Sequence, residues 1–216
     1  MSLTPEFLAR IDQRRTTLRA ELAALFPQTQ SVVWEVGSGH GHFLTRYASI
    51  FPEKTCVGVD INTQRIGRSR KKATRGGLAR CHFVHAEAGE FFHALPEHVT
   101  FSEVWVLFPD PWPKKRHHKN RILQAPFLEL IASRVGEGGR LYFRTDHAEY
   151  FAAAQAIFPE LKTWKLEADG IWPLEHETVF QARAPSYQSL VAIRTAHPAT
   201  PAETAGPRPP PLAGPR

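Results

Sequence analysis

Seven consecutive residues, Glu35-Val36-Gly37-Ser38-Gly39-His40-Gly41, leave little choice about how the chain around them can fold. They close an apolar, β-branched run, Val32-Val33-Trp34, that reads as a buried strand. Three alternate glycines then permit a tight turn, and a helix is expected from His42 to about Ser49. A second strand, Cys56–Asp60, follows and ends in an acid. Strand, glycine turn, helix and strand make a parallel β-α-β unit, whose crossover is right-handed.

The alternation continues down the chain. Asn62-Thr63 caps a helix over about 64–74 that Gly76-Gly77 ends, and a third strand covers 81–85. A short helix through Phe91 and Phe92 leads to a fourth strand at 103–108. A helix over about 123–135 is expected to stop at Gly136, Gly138 and Gly139, before a fifth strand at 140–145 and a helix at 147–158. Two further strand candidates, about 162–167 and 178–184, have no helix between them and read as an antiparallel edge pair. The expectation is an α/β protein with a doubly wound, mostly parallel sheet and helices on both faces. An N-terminal helix (5–25, within a segment 1–30) opens on Thr4-Pro5, a cap followed by proline in the first turn. The main domain should cover 31–190, and a Pro- and Ala-rich tail over 197–216 has too little apolar content to order itself.

The chain has 216 residues, enough for one unstapled core, with a net charge of +6 and a pI near 9.6. Its cations cluster, which favours a polyanionic partner, nucleic acid before membrane. Cys56 and Cys81 lie in strand-like contexts and read as buried thiols of a reducing compartment. No apolar run approaches membrane-spanning length and the N-terminus lacks a signal-like segment, so a cytoplasmic location is expected.

A second motif begins where the fourth strand ends. Phe108-Pro109-Asp110-Pro111-Trp112-Pro113 holds a carboxylate and an indole between three prolines, each of which fixes φ. Lys114, Lys115, Arg116, Lys119 and Arg121 follow, with His117 and His118 among them. An acid beside a planar ring and a cationic tract suits a base presented on a phosphate backbone. Arg10, Arg14, Arg15 and Arg19 on the first helix are either a solvated face or further phosphate contacts.

Gly37, Gly39 and Gly41, with Asp60 ending the next strand, form a nucleotide-binding layout in which Asp60 would take ribose hydroxyls. The third glycine comes one residue early for a dinucleotide fingerprint, and Glu35 would repel a pyrophosphate. S-adenosylmethionine, a phosphate-free cation, suits Glu35, Asp60 and Glu87, the last near the adenine amino group. No phosphate-binding lysine loop, zinc-type His/Cys spacing or nucleophile elbow occurs, so no metal is expected.

With both motifs in hand, the chain resembles the bacterial tRNA (guanine-N7-)-methyltransferases over about residues 20–185. The resemblance implies a Rossmann-like class I methyltransferase fold with a seven-stranded sheet. It also implies S-adenosylmethionine as methyl donor and a tRNA substrate methylated at a variable-loop guanosine. By position, Glu35, Asp60, Glu87 and Asp110 look like the cofactor-contacting acids, and Asp110 also like the catalytic residue. Lys114, Asp146 and Thr178-Val179-Phe180-Gln181 look like RNA-substrate contacts. Val179 and Gln181 stand where the family usually has Lys and Glu, and Asp60 and Glu87 exchange the family's usual Glu and Asp. The rival readings are a related enzyme acting on an exocyclic amine and a non-catalytic tRNA-binding protein; the sequence leaves monomer and homodimer equally open.

Overall fold

A computed structural model of the chain describes residues 4–175 and 186–198. Its centre is a seven-stranded sheet in the order β3-β2-β1-β4-β5-β7-β6. The strands are β1 (Gln30–Val36), β2 (Thr55–Asp60), β3 (Cys81–His85), β4 (Val99–Leu107), β5 (Val135–Thr145), β6 (Trp164–Glu167) and β7 (Gln188–Arg194). The first five are parallel, as the regular helical crossovers require. β7 runs antiparallel to both β5 and β6, so the edge pair is present. Its second strand is Gln188–Arg194; the expected stretch 178–184 lies outside the described residues.

Strand alternation divides the core between the two faces. Val32, Trp34, Val57, Val104 and Phe143 face α1 (Pro5–Leu25), α4 (Ala88–Ala94), α5 (Ala125–Ala132) and α6 (Ala148–Gln155). Trp34 is fully buried there against Phe91 and Phe101, with ring centroids 5.1 and 5.0 Å away. Burying one such side chain contributes about 1.5–3 kcal/mol. Val33, Cys56, Phe83, Trp105 and Tyr142 face α2 (His42–Ile50) and α3 (Thr63–Arg75). Cys56 and Cys81 are free, buried thiols in this layer, as expected from their contexts.

The caps expected at the starts of α1 and α3 are present. Thr4 Oγ1 accepts from Phe7 N, and Asn62 Oδ1 accepts from Arg65 N. α6 ends at Gln155 rather than 158, and α5 stops at Ala132 rather than about 135. Gly136, Gly138 and Gly139 do not terminate it but fall inside β5. There the β4–β5 register slips between Phe101 and Glu103, and Gly138 has φ +79°. Residue 139 must also stay small, because a Cβ would come 2.6 Å from Val135 Cγ1 and 3.1 Å from Ser102 O. The glycines serve a strand irregularity, a signal that resembles a helix stop in one dimension.

Candidate functional site

Five carboxylates gather at one end of the parallel sheet. Glu35 is next to last in β1 and Asp60 is last in β2; Glu87, Asp110 and Asp146 come within three residues after β3, β4 and β5. In sheet order these strands are consecutive, so the acids form a rim along the carboxyl ends. The chain leaves β1 toward β2 on one side and has β4 on the other, which opens the crevice where such sheets take ligands.

The glycine turn sits in the middle of that rim. Gly37, Gly39 and Gly41 have φ of +72°, +54° and +67°. Gly37 N and Ser38 N both donate to Val59 O, at 2.8 and 2.9 Å. Asp60 ties the same turn: Oδ2 accepts from Gly39 N at 2.9 Å and Oδ1 from Asn62 N at 2.7 Å. Each of its oxygens thus has one lone pair committed to backbone, and the Arg65 guanidinium stands 3.8 Å from Oδ2. Gly41 is needed for space as well as for its backbone angle, since a Cβ there would lie 2.6 Å from the Phe83 ring. Gly58 answers to the same ring, with a Cβ 2.7 Å from Phe83 and 2.8 Å from Ser38 Cβ. Sequence reasoning passed over Gly58, because within a strand its only signal is the absence of a side chain.

Two polar atoms under the turn lack partners among the described residues: Glu35 Oε2 and Ser38 Oγ, both buried. The Glu35 carboxyl is 4 % exposed, and burial pushes it up to about 8, with the Asp60 charge adding to the effect. The Leu44 N–H and the Lys72 ammonium oppose the rise. Lys72 Nζ is engaged by His40 O and His42 Nδ1, both at 2.9 Å. Glu87, half-buried, is also raised, by burial first and then by Glu90. A carboxyl and a hydroxyl that want partners, in a cradle of glycines, fit a ligand carrying positive charge and hydrogen-bonding groups. S-adenosylmethionine meets that requirement, whereas a pyrophosphate would face Glu35 and Asp60 together.

After β4 the Pro-Asp-Pro-Trp segment is strained. Phe108 and Trp112 have φ +47° and +45°, a region that bulky residues seldom enter and that costs about 1–3 kcal/mol each. Three contacts hold it. Phe108 N donates to Arg144 O at 2.8 Å, Trp112 meets His117 edge to face, and Arg121 Nε donates to Pro111 O at 2.8 Å. Between these anchors Asp110 is exposed. Lys114, Lys115, Arg116 and Lys119 are exposed, the last three on a turn of 3₁₀ helix over 115–120. Arg121 departs from the expectation that it belongs to the phosphate-binding tract. It is buried at 6 %, lies 4.8 Å over the Tyr150 ring and is 3.6 Å from Glu149. In sequence it is simply the fifth cation of a run; the fold turns it inward where the 3₁₀ helix ends at Asn120 and the chain becomes extended.

Asp146 is exposed at the end of β5, on the same rim. Two residues earlier Arg144 is buried, and this the sequence did not reveal. Its guanidinium pairs with both oxygens of Glu175 at 2.8 and 2.9 Å and lies 4.1 Å from the Trp172 ring and 4.5 Å from Tyr187. It therefore fastens the chain on either side of 176–185 to the end of β5. Thr178, Val179, Phe180 and Gln181 lie outside the described residues.

The strand order, the glycine turn and the rim of acids define a class I methyltransferase fold. The same architecture is found in the 16S rRNA methyltransferase KamB, which superposes with a TM-score of 0.59 at 23% identity over 82% of this chain and 93% of that one. Residues 29–186 match the model of a family described as "Putative methyltransferase". The tRNA (guanine-N(7)-)-methyltransferase of Shewanella piezotolerans is 32% identical over 76% of this chain and 71% of its own length. That of Thiobacillus denitrificans is 36% identical over 60% of this chain, but the match spans 57% of the relative. The chain belongs to the family of tRNA (guanine-N7-)-methyltransferases.

Proposed function

We propose that this chain transfers a methyl group from S-adenosylmethionine to N7 of a guanine in tRNA, in the variable loop. The observation that carries the reading is the pairing, on one rim, of a phosphate-averse turn with an exposed carboxylate beside a cationic tract. Glu35, Ser38 and the backbone of Gly37–Gly41 would hold the cofactor, Asp60 its ribose and Glu87 its adenine amino group. When bound, S-adenosylmethionine supplies a methyl group on a sulfonium, ready for direct displacement.

Guanine N7 carries an in-plane lone pair, so no base is needed to free it. The protein's task is to align the ring with the methyl group and to favour the charge that arrives there. Asp110 accepts from guanine N1–H and the exocyclic amino group, both better donors once the ring is positive. Its carboxylate thus binds the transition state more tightly than the ground state. The strained segment keeps Asp110 where the base must dock, so little ordering is left for the moment of reaction. Lys114 and its neighbours hold phosphates, and Asp146 lies within the same substrate region; these contacts position the RNA without reading its sequence.

The deciding experiment is methyl transfer from radiolabelled cofactor to an unmodified tRNA transcript, mapped by reduction and aniline cleavage. One cleavage at a variable-loop guanosine is expected. Label that resists cleavage would place the methyl group on another atom, and no label would remove the enzymatic reading.

A further inference from the structure

We propose that Glu35 is a neutral carboxylic acid in the free protein and is ionised by the positive charge of arriving S-adenosylmethionine, so that cofactor capture expels a proton. This rests on the cofactor reading above and extends it to the charge state of the receptor. The geometry is that of an acid with no direct ion pair among the described residues. Glu35 Oε2 has no partner among the described residues, and the side chain is almost wholly excluded from water. An ionised carboxylate left so would lose its hydration with a single backbone N–H, that of Leu44, in return.

The groups facing Glu35 are of both signs, and burial with the Asp60 carboxylate outweighs the rest. From β2 come the Asp60 carboxylate and the buried Cys56 thiol, and from β3 the Cys81 thiol. α2 offers the Leu44 N–H and, through its bond to Lys72, His42, and β4 places Trp105 in register with Glu35. α3 supplies a cation, Lys72, whose ammonium already serves His40 O and His42 Nδ1. The balance leaves the carboxyl near 8 in the free chain. A cation docked on the turn beside the orphaned Oε2 and Ser38 Oγ reverses that balance. The O–H bond breaks, the proton passes to solvent, and a charge pair replaces a neutral acid.

Calorimetry on the full chain at pH 7, with S-adenosylmethionine titrated in phosphate and in Tris, tests this. The two heats should differ by the buffers' ionisation enthalpies times about 0.9 proton released, given a free-state value of about 8. Affinity should rise by up to about tenfold per pH unit from pH 6 to 8 and then level off. Glu35→Gln should bind more weakly, with a heat that no longer depends on buffer. Equal heats in both buffers for the unaltered chain would overturn the proposal while leaving cofactor binding intact. So would an undiminished proton release in Glu35→Gln, which would assign the proton to His40, His42 or the cofactor's own amine. If Glu35→Gln fails to fold, the unaltered chain decides: an affinity flat from pH 6 to 8 refutes the proposal. No binding in any buffer would refute the cofactor reading as well.

Discussion

Glu35 and Asp110 are both acids at strand ends, yet their surroundings prepare them for different work. Glu35 is sealed beneath a turn and raised by burial, then by Asp60, to about 8. Its folded-state value lies above the unfolded one of about 4.5, so the folded chain holds its proton more tightly. The associated stability is complete below about pH 4.5 and is lost as pH rises toward 8. Glu35→Gln removes that dependence. Urea unfolding without cofactor should therefore show the variant gaining on the unaltered chain between pH 5 and pH 8, by on the order of 4 kcal/mol. A gap that does not move with pH would mean that Glu35 is already ionised in the free protein. Asp110 is exposed, and its role under the proposed chemistry is to meet a donor edge that turns more acidic in the transition state. Asp110→Asn keeps the shape and one acceptor but loses the charge and adds an N–H₂. A charge-assisted hydrogen bond contributes about 1.5–3 kcal/mol, so methyl transfer at saturating cofactor and tRNA should slow by roughly ten- to a hundredfold. An unchanged rate would reduce Asp110 to a turn residue, and a loss confined to cofactor affinity would point it at the methionine end.

At the scale of elements, the Phe108–Arg121 segment shows how a loop is kept in a conformation its residues disfavour. Two aromatic residues at positive φ persist because Arg144 O, His117 and Arg121 hold the chain on either side of Asp110. Arg121→Gln should release Pro111 O and the Tyr150 face together. Turnover is expected to fall about tenfold, from the loss of a roughly 1–1.5 kcal/mol restraint, while cofactor affinity stays level. Calorimetry and single-turnover methylation separate the two; equal losses in both would mean that the whole domain has loosened. The same segment marks how far sequence reading reaches. The β-α-β rhythm, the glycine turn and the proline lock are local patterns of period and backbone restriction, and they appear in the structure where expected. Arg121, Arg144 and the glycines of β5 depend on what lies across the fold. A cation reads as solvent-facing until a tyrosine or a pair of rings is seen beneath it. A Gly-rich stretch reads as a helix stop until its neighbouring strand shows a shifted register.

At the scale of the whole molecule, exposed cations flank the end of the sheet that the acids occupy. The acids occupy the carboxyl ends of the five parallel strands, and cations lie outside them. Lys114, Lys115, Arg116 and Lys119 flank the end of β4, while Arg68 and Lys71 stand exposed on α3 beside β2. Exposed cations of the post-β4 turn and of α3 thus stand outside the acids of the rim. This arrangement suits a cationic cofactor held within and a polyanion gripped around it, and it makes the two affinities separable. If the exposed cations neutralise phosphates, tRNA binding must weaken steeply with salt through counterion release. Changing Lys114 and Lys115 together to Gln should flatten the log–log slope by roughly 1.4 to 1.8 units, at about 0.7–0.9 per phosphate contact. Arg121→Gln should leave that slope alone, because its guanidinium is buried against Tyr150. Cofactor affinity should be the same in all three proteins, since none of these side chains touches the glycine turn. Filter binding across a salt series measures the slopes. An unaltered slope in the double variant would show that Lys114 and Lys115 are a solvated face, and the grip on RNA would then fall to Arg116, Lys119 and the cations of α1 and α3.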